Sequence, residues 1–377
     1  MMDAAKLLEM LPAKPRVLAL GEPTHGEDVL LDVRNELFRP LVEQAGYRTI
    51  AIESDCLRGL IVDDYVTSGA GTLDDVMAHG FSHEFGRSPA NRELVRWMRA
   101  YNEGRPEPER VRFAGFDGPL ETVAADSPRQ ALTALHRHLA GVVGADLLPC
   151  TAETLDALLG DDDRWTEPAA MMDPARSVGR SPEAVRLRSL ADDLAALLAA
   201  TPAAGTELAR LHARTATGLL RYHSWFADAS PARLPWLLAV RASMMADNLL
   251  ALAERGPMLV FAHNGHLQRP RSSMNLGGRP VGWWSAGAIA GARLGADYAV
   301  VATAVGTIRH RGVDTPPPDT VEGFLYGLPA DRCLVDPRDL PVPSAPRESP
   351  WFGYAPLDPG HLTACDGIVF VKDLPEA

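Results

Sequence analysis

Short apolar segments alternate with amphipathic helical patterns along this chain, and this alternation constrains its fold most strongly. The apolar segments are rich in β-branched residues, are bounded by Gly, Pro or Asp, and cover residues 16–20, 49–53, 111–117, 258–262, 298–303 and 367–371. Helical patterns cover residues 28–45, 90–103 and 237–255. Continuous apolar strands are typical of a parallel sheet buried on both faces. The alternation predicts an α/β fold with a mostly parallel central sheet flanked by helices.

The middle of the chain has a different pattern. Residues 127–226 are rich in Ala, Leu, Arg and Asp and show helical periodicity. We predict a first part of the α/β core at 1–126, a helical insertion at 127–235 and a second part of the core at 236–377. The insertion is expected to form a lid over the cleft at the carboxyl ends of the strands. The proline-rich stretch 312–350 is expected to run over the surface.

Composition excludes several classes of protein. With 377 residues, 46% of them hydrophobic, the chain can bury a large core in one or two domains. A net charge of −12 disfavours nucleic-acid and anionic membrane partners. Lysine occurs only at Lys6, Lys14 and Lys372, which leaves no phosphate-binding P-loop and no interior Schiff-base lysine.

Cellular location is inferred from what the sequence lacks. The cysteines stand too far apart for a zinc ribbon. We see no signal peptide and no segment that approaches a membrane span. We therefore expect a cytoplasmic protein without a membrane partner. The sequence leaves the oligomeric state open, and a monomer is the default expectation.

Titratable side chains follow the ends of several predicted strands. They are Glu22 and His25 after the first strand, Glu53, Asp55 and Arg58 after the second, Asp117 after the third, and His263, Asn264 and His266 after the fourth. The carboxyl ends of neighbouring parallel strands share one edge, where ligands bind, so we expect the two glutamates and two or three of the histidines to converge. Each also has a structural alternative: a helix cap for Glu22, an ion pair for Glu53, or a core histidine for His25 or His263.

Two arginines lie on the apolar faces of predicted helices. Arg34 falls within the stripe of Leu30, Leu37 and Leu41, and Arg241 shares the face of Leu237, Met244 and Leu252 with Asn248. Because arginine is rarely buried without a partner, we expect ion pairs with Glu22, Glu53 or the substrate. A purely structural pair is the alternative for Arg241.

Three other motifs carry less information. Trp284-Ser285-Ala286-Gly287 resembles half a nucleophile elbow, but it lacks the leading glycine and the preceding strand, so a helix or turn is expected there. The run 161–163 of three aspartates lacks EF-hand spacing and is interpreted as a solvated loop. Trp165 and Trp225 are expected in the core.

Taken together, the sequence motifs around these residues resemble those of the erythromycin esterase family. Gly21-Glu22-Pro23-Thr24-His25-Gly26, Arg34 and Glu53-Ser54-Asp55 match its G-E-x-T-H-G, R and E-x-D pattern. Residues 241–248 and 263–266 resemble its R-D-x-x-M-A-x-N and H-N-x-H blocks. The resemblance covers about residues 16–120 and 236–306. Ala242 stands where the family has an aspartate, which removes a possible ion-pair partner or alters substrate positioning.

The resemblance implies a parallel α/β core with a helical insertion. It also implies hydrolysis of the macrolactone ester of macrolide antibiotics without a required metal or cofactor. It would make His25 the general base, Glu22 and Glu53 the groups that orient it, and His263 and Arg34 the groups that polarise the carbonyl or stabilise the oxyanion. The candidates for substrate binding are Arg241, Asp55, Asn264, His266 and Arg58.

Two alternatives stay open at this point. Glu22, His25, Glu53 and His263 would also suit a metal-dependent hydrolase, because His and carboxylate groups bind Zn²⁺, Mn²⁺ or Fe²⁺. A non-hydrolytic acyl-chemistry or ligand-binding member of a natural-product pathway is the second alternative, and Ala242 is the one hint of such divergence. The fold itself does not determine the small-molecule ester or lactone that is bound.

Overall fold

The computed structural model describes residues 2–121, 124–276, 278–341, 345–349 and 351–375. Its strands are β1 Val17–Glu22, β2 Thr49–Asp55, β3 Arg112–Asp117, β4 Leu120–Glu121, β5 Ala124–Ala125, β6 Met258–His263, β7 Ser272–Leu276, β8 Arg279–Trp283, β9 Tyr298–Thr307, β10 Arg332–Val335 and β11 Gly367–Asp373. Its α-helices are α1 Ala4–Met10, α2 Asp28–Ala45, α3 Gly59–Ser68, α4 Leu73–His79, α5 Pro89–Asn102, α6 Arg129–Ala140, α7 Ala152–Leu159, α8 Pro182–Ala200, α9 Glu207–Phe226, α10 Arg233–Ala253, α11 Asn264–Leu267, α12 Ala286–Leu294 and α13 Val321–Tyr326.

A seven-stranded sheet in the order β10-β11-β9-β1-β6-β2-β3 forms the centre of the described fold. β1 pairs in parallel with β6 and β9, β2 pairs in parallel with β6, and β11 pairs in parallel with β9. Among the strand pairs of this sheet whose registers are described here, the edge strand β10 alone is antiparallel to its neighbour, β11. The predicted α/β class with a mostly parallel sheet is confirmed. The hairpins β7–β8 and β4–β5 and the edge strand β10 were not among the predicted strands.

Strand β1 lies in the middle of the sheet, which its continuous apolar sequence favours. Its residues are buried throughout, as are those of β2, as expected for strands covered on both faces. One large apolar cluster joins the sheet to α2, and its members include Leu18, Leu20, Ile50, Ile52, Leu37, Phe38, Leu41, Leu259 and Phe261. The sheet core therefore holds the ends of β1, β2 and β6 at fixed positions.

The chain forms two compact units. One combines Met1–Phe116 with Leu249–Ala377 and contains the main sheet, and the other is Asp117–Asn248. The second unit is mostly helical and includes α6 to α9. The predicted insertion at 127–235 lies inside this second unit, and its role as a lid stays a prediction.

Helix α10 corrects the expectation that no segment of the sequence approaches a membrane span. Among the described residues it is the one helix that is long and apolar enough to cross a membrane by length and composition, although 56% of its most apolar window is buried. A core helix of a soluble protein passes the same test, and the fold is a soluble-type α/β fold. Cytoplasmic location stays a prediction.

Candidate active site

Two glycines shape the turn that follows β1. A Cβ atom at Gly21 would lie 2.1 Å from Asn264 Oδ1, so a larger residue would collide with the chain that follows β6. Gly26 has a φ of +83°, in the left-handed region that favours glycine. The glycines that flank Glu22 and His25 are thus required by sterics, and they place both side chains at the carboxyl end of the sheet.

The His25 imidazole is hydrogen-bonded to the Glu22 carboxylate. His25 Nδ1 lies 2.7 Å from Glu22 Oε1, and the side chains are 39% and 4% exposed, respectively. An ionised carboxylate only accepts hydrogen bonds, so Nδ1 carries the proton and Nε2 keeps its lone pair. This arrangement gives a base nitrogen on a half-exposed ring with a fixed tautomer.

Glu22 itself is held in an unfavourable environment for a charge. Its Oε2 atom is buried and has no hydrogen-bond partner among the described residues. Burial raises the pKa of Glu22, the neighbouring Glu53 raises it further, and His25 and Arg34 oppose the shift. The ionisation of Glu22 therefore depends on its hydrogen bond with His25 and on the nearby Arg34 charge.

Glu53 connects three loops at the end of β2. Its Oε2 atom accepts a hydrogen bond from the backbone N–H of His263 at 2.8 Å. Its Oε1 atom lies 3.2 Å from His266 Nε2 and 3.8 Å from His25 Nε2. The predicted convergence of Glu22, His25, Glu53, His263 and His266 is therefore present in the structure.

Both ring nitrogens of His263 are used by the backbone. Nδ1 accepts from the Gly265 N–H at 3.1 Å, so Nε2 carries the proton and donates to the Pro23 carbonyl at 3.2 Å. Burial, with His25 and His266 close by, lowers the pKa of His263 to about 3. The neutral ring lies 5.5 Å from the His25 ring between centroids. In this state His263 supports the turn that carries His25.

Arg34 is fully buried on α2, as expected, but its partners are not the expected carboxylates. Its Nε and Nη2 atoms donate to Asn35 Oδ1 at 3.1 and 2.8 Å, and Nη1 donates to Asn91 Oδ1 at 2.9 Å. The guanidinium also stacks over Phe261 at 5.0 Å. Burial lowers the pKa of Arg34 to about 10, opposed mainly by Glu22, so the group is charged at neutral pH.

Asp55, Arg58 and Asn264, predicted to bind substrate, make local structural contacts. Asp55 Oδ1 accepts the backbone N–H groups of Leu57 and Arg58 at 2.6 and 3.2 Å, and Arg58 Nη1 donates to the Phe81 carbonyl at 3.3 Å. Asn264 forms two hydrogen bonds with the backbone of Thr303, at 2.9 and 3.2 Å. These contacts fix the turn after β2 and attach the residue that follows β6 to β9, across the end of β1.

Arg241 pairs with Asp117 inside the second unit. Its Nε and Nη2 atoms lie 3.0 and 2.6 Å from Asp117 Oδ2, and the Asp117 side chain is fully buried. This is the structural ion pair given above as the alternative for Arg241. Asn248 accepts a hydrogen bond from Arg214 Nε at 3.2 Å, and Ala242 is buried.

A cavity of about 370 Å³ lies beside the His25–Glu22 pair in the first unit. Its lining includes Glu22, His25, Arg34, Glu53 and Asn91, together with side chains of the loop 81–88, which we call the cavity loop. The volume and the convergent polar groups are typical of a small-molecule site. The cavity therefore offers a small molecule room beside the His25 side chain.

The cavity loop contains functional candidates that the sequence did not indicate. His83 and Glu84 have φ angles of 55° and 59° and line the cavity. Left-handed backbone at a non-glycine residue costs about 1–3 kcal/mol and is concentrated at functional sites. The available sequence signals were the titratable pair itself and the modest enrichment of histidine in left-handed backbone, and neither is strong enough to single out this position.

The metal-site alternative requires several ligands to point at one place. Across the described ranges, no three His, Cys, Asp or Glu side chains are arranged to hold a metal ion. His263 would also have to release a backbone partner to become a ligand. The four candidate residues therefore do not fit a metal as they stand.

Comparison with known proteins places the chain in a family. The family "Erythromycin esterase" matches residues 42–361, so Glu22, His25 and Arg34 precede the matched segment. The Escherichia coli protein "Erythromycin esterase type II" is 30% identical over 117 residues, which are 31% of this chain and only 27% of that relative.

Solved structures share the fold. A Bacillus cereus protein superposes with a TM-score of 0.72 at 17% identity, covering 98% of this chain and 91% of that one. A histidine-to-asparagine mutant of the erythromycin esterase EreC, in its open conformation, gives 0.69 at 18% identity, with 97% and 92% covered. A succinoglycan biosynthesis protein gives 0.67 at 17% identity, with 98% and 90% covered. With the family matching most of its length, the chain belongs to the erythromycin esterase family.

Proposed function

We propose that this protein hydrolyses an ester or lactone of a small molecule by water that His25 activates. The observation that carries the proposal is the 2.7 Å hydrogen bond between His25 Nδ1 and Glu22 Oε1 beside the cavity. A carboxylate in this position fixes the tautomer of the imidazole and stabilises the imidazolium that forms during catalysis.

The proposed reaction needs one water and no covalent enzyme intermediate. His25 Nε2 takes a proton from water as the water oxygen attacks the carbonyl carbon. The carbon–oxygen bond to the alcohol then breaks, and the imidazolium returns its proton to the departing alkoxide. The products are a carboxylic acid and an alcohol, or one hydroxy acid from a lactone. Glu53 Oε1, 3.8 Å from Nε2, is too far for a direct hydrogen bond and within reach of a shared water.

Arg34 is our candidate for stabilising the oxyanion of the tetrahedral intermediate. A guanidinium has five N–H donors, and Arg34 makes three hydrogen bonds within the described residues. It is charged, buried and part of the cavity lining, so a remaining donor can face a developing negative charge. We assign His263 a supporting role, because its proton is donated to Pro23.

The substrate class is proposed from the family. The name of the Escherichia coli relative points to a macrolide lactone, and the cavity chemistry suits any uncharged carbonyl that Arg34 can polarise. We propose a protein that acts without a nucleic-acid partner and without an obligatory cofactor.

The test combines a substrate panel with a matched pair of variants. Wild-type protein is incubated with macrolides and p-nitrophenyl esters in ¹⁸O-labelled water, and we expect products that gain one labelled water. His25→Ala should lower kcat by about 10²–10⁴-fold, because a positioned base is lost. His310→Ala is the control, since His310 forms a similar pair with Glu27 at 3.0 Å and lies outside the cavity lining.

Three results would count against the proposal. Full turnover by His25→Ala would remove His25 from the reaction. Activity that disappears after chelation and returns with a divalent cation would favour the metal-dependent alternative. Conversion of the substrate without a gain of water would favour non-hydrolytic acyl chemistry.

A further inference from the structure

We propose that Asn91 is a positioning residue that holds Phe85 against the His25 imidazole. The inference rests on the proposed function of His25 and extends it to the cavity loop. It is drawn from a continuous series of contacts that runs from Arg34 through Asn91 and Phe85 to His25.

Asn91 sits in the first turn of α5 and is 1% exposed. Its Nδ2 donates to the backbone carbonyl of Phe85 at 2.9 Å, and its Oδ1 accepts from Arg34 Nη1 at 2.9 Å. The guanidinium can only donate and the carbonyl can only accept, so the amide has one possible orientation. Asn91 therefore ties the cavity loop to the buried arginine of α2.

The Phe85 ring is a side wall for His25. The ring centroids of Phe85 and His25 are 5.4 Å apart, and those of His263 and His25 are 5.5 Å apart. His263 is held by the backbone at the end of β6, whereas Phe85 stands on a loop. The Glu22 hydrogen bond holds Nδ1, and the two neighbouring rings limit how far the imidazole, which is 39% exposed, can turn about that bond.

The cavity loop needs attachment at both ends. Its residues His83 and Glu84 adopt left-handed backbone, which non-glycine residues adopt only where the surroundings impose it. On the amino-terminal side, the Ser82 hydroxyl is hydrogen-bonded to the Ser54 hydroxyl at 3.2 Å and accepts from the Asp55 N–H at 2.9 Å, and the Ser82 N–H donates to the Ser54 hydroxyl at 2.9 Å. On the carboxyl-terminal side, Asn91 holds the Phe85 carbonyl. Loss of the Asn91 donor should let Phe85 move away from His25.

Asn35 provides a closely matched control. It is also buried and accepts from the same guanidinium, but its Nδ2 donates to the Ala90 carbonyl at 2.9 Å. Asn91→Asp and Asn35→Asp both keep an acceptor for Arg34, add the same charge and remove one donor. Only Asn91→Asp removes the side-chain donor from the Phe85 carbonyl, which then keeps the backbone N–H of Ser88 at 3.2 Å as its donor.

We expect Asn91→Asp to lower kcat by about tenfold to a hundredfold, the scale of a small misplacement of a catalytic group, with little change in KM. Asn35→Asp places the same charge beside Arg34, so any loss of kcat caused by that charge is common to both variants, and Asn91→Asp should show a clearly larger loss. Phe85→Ala, which leaves both amides intact, should reproduce the loss of kcat and serves as the second variant if Asn91→Asp does not fold.

Crystal structures of the variants give a readout that does not depend on turnover. Phe85 and the His25 ring should be displaced in Asn91→Asp and unchanged in Asn35→Asp. Equal losses of kcat in the two Asp variants, or unchanged kcat in Phe85→Ala, would overturn the proposal. If the wild type hydrolyses no ester, the proposed function fails, and the displacement in the crystals still decides whether Asn91 positions His25.

Discussion

Replacing Glu22 by Gln tests the central hydrogen bond of the site directly. The change keeps the size of the side chain but replaces one carboxylate oxygen by an amide NH₂. If that NH₂ faces His25, it donates to Nδ1, and the imidazole proton moves to Nε2, the nitrogen that should act as base. The opposite orientation buries the NH₂ where Glu22 Oε2 now has no partner, which is also unfavourable. We therefore expect a mixture of tautomers.

The expected loss is large. In serine-protease triads, a carboxylate-to-amide change at the equivalent position costs about 10⁴ in kcat. His25 is more exposed than a triad histidine and retains its other neighbours, so we expect about 10²–10⁴-fold, which corresponds to about 3–5 kcal/mol in the barrier.

Two measurements check this prediction. Nitrogen-15 NMR of the imidazoles reports which nitrogen carries the proton, and kcat reports the consequence. Glu27→Gln is the control, since Glu27 is a buried carboxylate on the same loop that pairs with His310. An unchanged Nδ1–H tautomer together with wild-type kcat in Glu22→Gln would refute the reasoning.

The same variant separates activity from stability as the pH changes. Burial raises the pKa of Glu22, so the native state binds this proton more tightly than the unfolded chain. The stability that this proton contributes is present below the unfolded pKa and is lost as the pH rises through the folded pKa. Activity should follow the opposite course, because only ionised Glu22 fixes His25. Urea unfolding across pH should show that Glu22→Gln lacks this loss of stability.

The remaining predictions concern three other polar groups. Asp117→Asn should destabilise the second unit by about 3–5 kcal/mol in urea unfolding, because it removes the carboxylate that neutralises the buried Arg241 charge. A double variant, Asp117→Leu with Arg241→Met, that is no more stable than Asp117→Asn would contradict this. Asn264→Ala should cost about 1–3 kcal/mol by leaving the Thr303 backbone unpaired, as measured by thermal unfolding. His263, whose pKa is lowered to about 3, should stay neutral in an NMR titration from about pH 8 to 4. Because its pKa is near 6.5 in the unfolded chain, its contribution to stability should be lost as the pH falls from about 6.5 towards 3.

The sequence was sufficient for the elements whose signals are local. β1, β2 and α2 were predicted from continuous apolar runs and from helical periodicity, and α2 has the bounds expected from the sequence, Asp28–Ala45. The convergence of Glu22, Glu53 and His263 followed from topology, because adjacent parallel strands present their carboxyl ends at one edge. A parallel sheet thus allows residues distant in sequence to be grouped before any coordinates are known.

Features that depend on tertiary contacts were not predictable in this way. β10 is a short, half-buried edge strand in a proline-rich stretch, so it has neither a continuous apolar run nor clear alternation. Glu84 is not of a type that marks left-handed backbone, and the enrichment of histidine in that region is too weak to single out His83; tertiary contacts impose the conformation of both residues. Helix phase correctly placed Arg34 inside the fold, but it contains no information on which polar groups the guanidinium meets.

The three histidines near Glu53 show why residue type alone cannot assign roles in this site. His263 gives both nitrogens to the backbone, and His266 places Nε2 against Glu53, whereas His25 gives Nδ1 to a carboxylate and has Nε2 3.8 Å from Glu53. An imidazole can therefore support the backbone, pair with a carboxylate or act as a base, according to the group that each of its nitrogens contacts. Loss of His263 should therefore act on the reaction through the turn that carries His25, lowering the rate without changing the ionisations that shape its pH profile.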